Sequence, residues 1–446
     1  MEALFEKYIA AVRETETLTC VGYVSRVKGI LIESRGPLAV IGELCLLDAP
    51  DLELYAEVVG LDGPTVQLMA FGDTAGIEIG SRVRATGEAL SVACSPELIG
   101  RVLGPLGKPV DGKKPIVGNV RYPAAAKAPP ALSRPTIKRR ITTGIRAVDG
   151  LLACGEGQRL GVFSGSGVGK STFQGMIARN TSADVNVIAL IGERGRELND
   201  FIEQSLGEEG MKRSVIVVST GEEPALARLR GAYIATALAE YFRDRGMNVM
   251  LLFDSVTRFA RAQREIALSV GEVPAQRGYT PSVFDLLPKL LERTGASDKG
   301  TITAFYTVLV DGDDLDEPIS DNVRGILDGH IVLSRALAAR GHYPAIDVLQ
   351  SISRLANDVS GRESRKAALA VKQYIAAYAE AEDIINAGAY KSGSNPAIDA
   401  AIEKRAEIEE FLIQSMDERS TLAETLGRMG AIAGVEIPDD EMMLLS

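Results

Sequence analysis

One segment, LGVFSGSGVGKST from Leu160 to Thr172, constrains what this chain can fold into more than any other. It reads as an apolar strand, a glycine-rich loop and the start of a helix. Glycines have no Cβ, so such a loop can turn its backbone N–H groups around a phosphate at the positive end of the helix. Lys170 supplies an ammonium for the β- and γ-phosphates, and the Ser171 hydroxyl can ligate Mg²⁺. Although Ser164 stands where the P-loop pattern has glycine, the segment predicts a nucleoside triphosphate site formed by Gly165, Ser166, Gly167, Val168, Gly169, Lys170, Ser171 and Thr172.

The chain has three stretches with different hydrophobicity patterns, and 446 residues allow about three domains. Short, alternating, β-branched segments run from Leu18 to about Cys94, and they predict a small barrel or sandwich. Apolar strands then alternate with helical segments, which is typical of a parallel sheet covered on both faces. From Arg362 onwards the pattern is helical. The predicted domains, in an α/β fold, are residues 1–95, 96–361 and 362–446.

The periodicity also locates individual elements. The strands predicted in the middle domain are Arg159–Phe163, Val185–Ile191, Val215–Ser219, Val249–Phe253, Thr301–Val308 and Ile331–Leu333. Three helices are predicted after them, over residues 362–387, 397–416 and 419–429. An apolar stripe near the N-terminus predicts a short helix that either packs on its own domain or binds a partner, and it consists of Leu4, Phe5, Tyr8, Ile9 and Val12.

Composition excludes several classes of protein. No apolar run approaches the ~20 residues that span a bilayer, and the N-terminus has no signal-peptide pattern. The formal net charge of −11 and the absence of tryptophan disfavour a nucleic-acid-binding surface. The cysteines are too far apart for a metal or disulfide framework, and they are Cys20, Cys45, Cys94 and Cys154. We therefore expect a soluble cytoplasmic protein without a nucleic-acid partner.

Two carboxylates follow apolar strands in the middle domain. Asp254 ends the strand NVMLLFD, where it would lie beside Ser171 and hold Mg²⁺ through water. Many buried strands end in Asp, so this interpretation depends on the P-loop. Glu193 follows the strand Val187–Ile191, and it either orients a water for attack on the γ-phosphate or forms a surface ion pair with Arg194 or Arg196.

Two further residues have open interpretations. Arg354 lies well after the last predicted core strand. Its guanidinium suits the charge that develops on a γ-phosphoryl group, although a lone arginine is more often solvated or ion-paired. Tyr343, in GHYPAID, either stacks on a base or fills the core.

These motifs, in this order, resemble the catalytic-subunit family of rotary ATP synthases. The resemblance covers about Gly100 to Asn357 and runs through GRVLGPLGKPVDG, TTGIRAVDGLL, GSGVGKS, GERGRE, AEYFRDRG, LLFDSVTRFA, DDLDEP, HIVLSR and GHYPAID. Within that family, GEVPAQRGYTPSVFDLLPKLLERTG resembles the branch that powers type III protein export. The flagellum-specific export ATPases are most similar, and the ATPases of virulence injectisomes come next.

The resemblance implies a role for each candidate residue. Glu193 matches the catalytic glutamate, with Arg194 beside it as a further catalytic residue. Lys170, Ser171 and Asp254 match the phosphate and Mg²⁺ ligands. In the same way, Arg354 corresponds to the arginine finger that reaches a neighbouring subunit's ATP, and Tyr343 to the aromatic residue stacked on adenine.

The resemblance also implies architecture and partners. The family fold is a six-stranded barrel, a recombinase-like P-loop core and a C-terminal helical domain, with six copies in a ring. A coiled-coil stalk protein would face the loop Asp313–Asp316, and a stator-like dimeric regulator would bind the Leu4–Val12 helix. Export chaperones, substrates and the export gate at the inner membrane would complete the list of partners.

Three alternatives stay open at this point. The chain could serve a virulence injectisome, it could be a nucleotide-binding ring subunit without catalytic activity, or it could be a hexameric RNA translocase. Glu193 counts against the second alternative, because a non-catalytic subunit needs no carboxylate for water. The acidic balance counts against the third.

Overall fold

The computed structural model describes residues 20–49, 52–118, 120–310, 312 and 314–443. The chain forms two compact units, one that contains a barrel and one that contains the main sheet and the C-terminal helices. The helix predicted around Leu4–Val12 lies outside the described residues. Among the helices that are described, none has the length and hydropathy needed to cross a membrane.

Within the described residues, six antiparallel strands close the first unit into a barrel: β1 (Val21–Lys28), β2 (Leu31–Arg35), β3 (Glu43–Ala49), β4 (Leu52–Asp62), β5 (Thr65–Ala70) and β6 (Arg82–Ala89). The order around the barrel is β1-β2-β5-β4-β3-β6. Alternate side chains, such as Val66 and Leu68 in β5, are buried in the interior. A tight turn with Gly63 at φ 55° connects β4 to β5. The predicted small barrel is therefore present.

The described part of the second unit contains thirteen strands: β7 (Ser91–Cys94), β8 (Val102–Leu103), β9 (Val120–Pro123), β10 (Arg140–Ile141), β11 (Cys154–Gly155), β12 (Arg159–Ser164), β13 (Val185–Glu193), β14 (Ser214–Thr220), β15 (Asn248–Asp254), β16 (Gly295–Ala296), β17 (Thr301–Leu309), β18 (Gly329–Leu333) and β19 (Ile346–Ser353). Two short sheets pair β7 with β9 and β10 with β11.

The other nine of these strands form the main sheet. Its order is β19-β18-β12-β17-β15-β13-β14-β8, with β16 paired to β17. The pairs between β18 and β8 are all parallel, whereas β19 and β16 run antiparallel to their neighbours. Every residue of β13 is buried, as expected for a parallel strand covered on both faces. The α/β architecture predicted from the sequence is confirmed.

The helices described in this unit are α1 (Arg146–Leu151), α2 (Lys170–Asn180), α3 (Gly195–Asp200), α4 (Gly207–Met211), α5 (Ala225–Arg243), α6 (Val256–Ser269), α7 (Pro281–Leu291), α8 (Pro318–Ile326), α9 (Arg335–Ala339), α10 (Arg362–Asn386), α11 (Pro396–Leu412), α12 (Leu422–Ala433) and α13 (Asp439–Met442). A π-helical turn, Phe201–Leu206, connects α3 to α4. The C-terminal helices share a core with the sheet domain. Phe411 of α11 and Met429 of α12 pack in it, and a Cβ on Gly150 of α1 would come within 2.9 Å of the Phe411 ring.

Strand β19 corrects the predicted setting of Arg354. The sequence pattern predicts that Arg354 lies well beyond the last core strand, whereas this residue directly follows β19. The strand escaped prediction because it mixes exposed and buried side chains without strict alternation, which is tolerated at a sheet edge.

The bounds of two C-terminal helices also differ from the prediction. Helix α11 ends at Leu412 rather than at residue 416, and α12 begins at Leu422 rather than at residue 419. A capping box between Thr421 and Glu424 fixes the start of α12.

Candidate nucleotide site

The phosphate loop joins β12 to α2 at the carboxyl end of the parallel strands. Gly167 and Gly169 have φ values of 77° and 86°, in the left-handed region that residues with a Cβ rarely enter. Gly169 is also the N-cap of α2, whose first residue is Lys170. Ser164, the departure from the P-loop pattern, is the last residue of β12 and is buried. The loop therefore has the backbone that a phosphate cradle requires.

Lys170 lies between two carboxylates from neighbouring strands. Its Nζ is 2.8 Å from Asp254 Oδ1 and 3.2 Å from Glu193 Oε1. Glu193 ends β13 and Asp254 ends β15, and these strands pair in parallel, so both side chains leave the sheet at the edge that carries the phosphate loop. The surface ion pair of Glu193 with Arg194 or Arg196 is not formed, because those arginines pair with other carboxylates.

Burial and charge have opposing effects on the pKa values of this cluster. Burial raises the pKa of Asp254 above its ordinary value, although Lys170 opposes the shift. Burial also acts to raise the pKa of Glu193, but the Lys170 ammonium, a hydrogen bond with Glu197 and the Arg258 guanidinium together outweigh it, so the pKa is lowered. Burial acts to lower the pKa of Lys170, and the two carboxylates outweigh it, so this pKa is raised. Glu193 is therefore ionised and Lys170 protonated at neutral pH.

Two residues that the sequence analysis did not select complete the surroundings of Glu193. Arg258 lies 3.2 Å from Glu193 Oε1 through its Nε, and its Nη2 donates to Oε2 at 3.2 Å. A side-chain hydrogen bond with Glu193 raises the pKa of Glu197. Arg258 stands in the first turn of α6, immediately beyond the strand that ends in Asp254. The sequence offered one signal for Arg258, because it lies in the first turn of the helix that follows Asp254.

These groups open into a cleft of about 330 Å³. Ser171 and Arg194 line it together with the phosphate loop, and Ser171 is exposed to it. Arg335, another residue that sequence reasoning missed, lies against the loop, because a Cβ on Gly165 would come within 2.8 Å of its guanidinium carbon. The cleft thus combines backbone donors, a lysine, arginines and hard oxygen ligands, which suits a triphosphate with Mg²⁺.

The oxygen donors of Ser171, in the cleft, and of Asp254, behind Lys170, fit Mg²⁺ better than a metal held by protein side chains alone. Across the described residues there is no group of three or more His, Cys, Asp or Glu side chains that could hold a metal ion. Ser171 and Asp254 supply one hydroxyl and one carboxylate. Mg²⁺ characteristically takes one or two such protein ligands and completes its shell with phosphate oxygens and water.

Tyr343 lies beside the phosphate loop. A Cβ on Gly169 would come within 3.3 Å of Cε1 of its ring. The residue is 42% exposed, so its ring does not fill the core. The structure thus brings Tyr343 to the same end of the sheet as Lys170.

Arg354 lies at the opposite end of the strands. Its backbone N–H donates to Asp328 O at 3.0 Å, and Asp328 pairs with Arg159, the first residue of β12. Ser164 lies five residues further along the strand than Arg159, which is a rise of about 17 Å. The side chain of Arg354 is exposed and forms no ion pair or hydrogen bond with the residues that the structure describes. Arg354 is therefore not part of the cleft in its own chain.

Comparisons with known proteins fit this arrangement. The nucleotide-binding domain of the ATP synthase alpha/beta family matches residues 144–353, and the beta-barrel domain of that family matches residues 24–87. The T3SS EscN ATPase C-terminal domain matches residues 360–431. Over 440 residues the chain is 59% identical to the flagellum-specific ATP synthase of Treponema pallidum (strain Nichols), with 98% of each chain covered. The chain belongs to the flagellar and type III secretion ATPases of the ATP synthase alpha/beta family.

Other members of the family agree. The flagellum-specific ATP synthase of Bacillus subtilis (strain 168) is 51% identical, with 97% of this chain and 99% of that one covered. A solved structure of the assembled ATPase EscN in complex with its central stalk EscO, from the type III secretion system of enteropathogenic E. coli, has a TM-score of 0.87 and 42% identity, with 92% of this chain and 100% of that one covered. As a member of this ATPase family, the chain is an ATP hydrolase that binds ATP.

Proposed function

We propose that this chain is the ATPase of a flagellar type III export apparatus, and that it hydrolyses Mg²⁺-bound ATP in a homohexameric ring with active sites shared between neighbours. The observation that carries the proposal is the Lys170 ammonium between Glu193 and Asp254 at the phosphate loop. The proposal retains three domains, over residues 1–95, 96–361 and 362–446.

Binding of ATP begins at the phosphate loop. The backbone N–H groups of residues Gly165–Thr172 surround the phosphates at the start of α2, where the helix dipole favours negative charge. Lys170 contacts the β- and γ-phosphates, since its ammonium is already held at the loop by Glu193 and Asp254. Tyr343 lies against the adenine, next to Gly169.

Ser171 and Asp254 would hold Mg²⁺, partly through water, beside the β- and γ-phosphates. The ion would neutralise charge on the phosphate oxygens during transfer of the γ-phosphoryl group. Burial acts to raise the pKa of Asp254, and the nearby Lys170 ammonium acts in the opposite direction and favours the carboxylate that such a site needs.

Glu193 orients the attacking water. It is 8% exposed and lies at the end of β13, within 3.2 Å of Lys170, so a water held by its carboxylate faces the γ-phosphate that Lys170 binds. Arg258 keeps the carboxylate ionised and in place through two contacts. Arg194, exposed at the rim of the cleft, would contact the phosphate oxygens.

Arg354 acts on the ATP of a neighbouring copy. It lies about 17 Å along β12 from its own phosphate loop, by strand rise, and its guanidinium is exposed. An arginine finger supplied by a neighbour stabilises charge on the γ-phosphoryl group in the transition state. This assignment supports a closed ring, because every copy then both receives and supplies one arginine.

The partners follow from the same proposal. EscN was solved as an assembled ATPase with a central stalk, EscO, and we propose a coiled-coil stalk protein in the centre of this ring, facing the loop with Asp314 and Asp316. A stator-like dimeric regulator would bind the segment Leu4–Val12. The ring would act in the cytoplasm, peripherally at the inner membrane, where hydrolysis would release chaperones and unfold substrates at the export gate. No nucleic acid takes part.

Activity as a function of protein concentration tests the shared site. With Mg²⁺ and saturating ATP, the specific activity is expected to rise with concentration as rings assemble. A sedimentation measurement over the same range serves as the control, because activity and hexamer fraction must rise together. Constant specific activity while the hexamer dissociates would contradict the shared site and leave an ATPase that is complete in one chain.

A deletion experiment tests the flagellar assignment. The 59% identity to a flagellum-specific relative, against 49% to a type 3 secretion system ATPase, supports it. Deletion of the gene is expected to abolish motility, and complementation with the Lys170→Ala variant is expected not to restore it. Retained motility together with lost effector secretion would assign the chain to an injectisome instead.

A further inference from the structure

The turn between α11 and α12 contacts the loop that carries Tyr343. The backbone N–H of Gln414 donates to the carbonyl oxygen of Tyr343 at 2.9 Å. Gln414 is 2% exposed, although it belongs to a connection between two helices. A buried polar side chain in such a turn must find hydrogen-bond partners.

The Gln414 side chain forms three hydrogen bonds. Its Oε1 accepts from the backbone N–H of Arg146 at 2.9 Å. Its Nε2 donates to the carbonyl oxygens of Gly144 at 2.8 Å and of Glu418 at 2.9 Å. Two of these bonds tie the turn to the segment that begins α1, and the third closes the turn on itself. Gln414 is therefore bonded to the segment at the start of α1 through its side chain and to Tyr343 through its backbone.

Arg146, the first residue of α1, also binds the turn between α11 and α12. Its guanidinium donates to the carbonyl oxygens of Phe411 at 2.8 Å and Ile413 at 2.5 Å, at the end of α11, and it also pairs with the carboxylate of Glu418. Cationic groups at this position satisfy the last carbonyls of a helix and complement its dipole. The turn after Leu412 is thus held by hydrogen bonds from two buried side chains, Arg146 and Gln414.

The anchored segment also contacts the helix of the phosphate loop. Gly144 has φ 74°, and a Cβ there would come within 2.4 Å of the Asn180 Cβ at the end of α2. Gln414 is consequently bonded to a segment that packs on α2 and to the loop that holds Tyr343. Gln414 therefore links the position of the Tyr343 loop to that of the segment packed on α2.

We infer that Gln414 is a positioning residue for nucleotide recognition, which holds Tyr343 against the adenine base through its backbone without touching the nucleotide. The inference rests on the proposed contact between Tyr343 and the base. It predicts that the Gln414 side chain controls the affinity for the base and leaves the phosphate chemistry unchanged.

Steady-state kinetics of the assembled enzyme test this inference. The Gln414→Met variant has a side chain of nearly the same size that can form none of the three hydrogen bonds. We expect KM for ATP to rise about tenfold while kcat stays within about twofold. Inorganic tripolyphosphate, which has no base, is expected to inhibit the variant and the wild type with the same Ki. An unchanged KM, or a Ki that rises as much as KM, would overturn the inference.

A double-mutant cycle separates this inference from the role of Tyr343. Tyr343→Ala alone is expected to raise KM for ATP, and Gln414→Met is expected to add nothing in that background. Full additivity would overturn the positioning role. If Tyr343→Ala leaves KM unchanged, the base contact itself fails and the inference falls with it.

Two variants keep the result interpretable. Thr425→Val removes another fully buried hydrogen bond of the C-terminal helices, to Ser420 Oγ at 3.0 Å, and it is expected to leave KM unchanged. If Gln414→Met does not fold, Gln414→Asn carries the test, because its shorter amide cannot span the same partners. It is expected to give a smaller rise in KM, again without a change in Ki, and an unchanged KM would contradict the inference.

Discussion

The two ends of the main sheet differ in whether their charged side chains form ion pairs within the described chain. At the carboxyl end, Glu193 and Asp254 are buried, and each contacts the half-buried Lys170 within 3.2 Å. At the other end, Arg354 is exposed and its guanidinium has no ion pair within the described chain. The first group is already held together by ion pairs within the chain, whereas the Arg354 guanidinium has no such partner among the described residues.

Under the proposed function, one sheet serves two active sites, and the two ends have different requirements. Groups that position a nucleophile and a phosphate need a fixed geometry, and burial with mutual ion pairs provides it. An arginine that completes a neighbour's site must instead remain at the surface until the two copies meet. The backbone of Arg354 is nevertheless held, through Asp328, next to the first residue of the strand that leads into the phosphate loop.

The largest effect is expected for Arg354→Ala. Loss of an arginine finger lowers kcat by about 10³-fold or more. Nucleotide binding measured with a fluorescent ATP analogue should change little, since Arg354 lies outside its own cleft. Arg354→Lys serves as the control for charge alone. Activity near the wild-type level in Arg354→Ala would contradict a catalytic role for the exposed end of the sheet.

A smaller loss is expected for Glu193→Gln. The amide cannot orient and activate water as a carboxylate does, so kcat should fall by about 10²–10³-fold. The Kd for ATP should stay the same or decrease, because Lys170 loses a competing charge. Single-turnover hydrolysis and equilibrium binding together check this prediction, and a loss of binding equal to the loss of rate would contradict a role confined to water.

Arg258→Ala tests how far the cleft depends on its supporting residues. Its contacts with Glu193 predict a decrease in kcat of about tenfold, as expected for a group that acts through another. Combining it with Glu193→Gln should add little further loss. Fully additive losses would mean that Arg258 acts independently of Glu193.

The smallest effect concerns Arg101, which immediately precedes the edge strand β8. Arg101 binds Asp111 in two contacts of 2.7 and 2.9 Å, and the hydrogen bonds from Arg101 hold the pKa of Asp111 below its usual range. A lowered pKa stabilises the fold above the ordinary value of about 3.9, and this contribution is lost as the pH falls. Asp111→Asn should therefore cost about 1 kcal/mol at pH 7 and less at pH 3, with kcat unchanged.

Thermal unfolding of the wild type and of Asp111→Asn at both pH values checks this prediction. A difference in Tm that grows towards low pH would have the wrong sign. A decrease in kcat of Asp111→Asn would mean that activity follows overall stability, and the losses expected for Arg354 and Glu193 variants would then not identify catalytic groups.

The sequence predicted the carboxyl end of the sheet well. The glycines of the phosphate loop, Lys170 and the strand that ends in Asp254 are local patterns, and parallel pairing brings such strand ends together. Glu193 was ambiguous from local sequence, because its partners Lys170 and Arg258 are distant in the chain. In the structure Glu193 contacts Lys170 and Arg258 rather than Arg194 or Arg196, and its role in positioning water stays a prediction.

Two kinds of feature could not be read from local patterns. Strand β19 lacks a clear periodicity, since it lies at the edge of the sheet, and the setting of Arg354 was missed with it. Arg335 and Gln414 make contacts with residues far away in sequence, such as the bond of Gln414 to Gly144. These contacts depend on the packing of the C-terminal helices and of the loops, which the periodicity of a single segment does not specify.

Mixing of two inactive variants tests the central claim most directly. Arg354→Ala subunits retain Glu193, and Glu193→Gln subunits retain Arg354, so a mixed ring contains some sites with both groups intact. We expect each variant alone to be nearly inactive and an equimolar mixture, allowed to exchange subunits, to recover a substantial fraction of wild-type ATPase activity. No recovery in mixed rings verified by mass would contradict the account and place every catalytic group of a site in one chain.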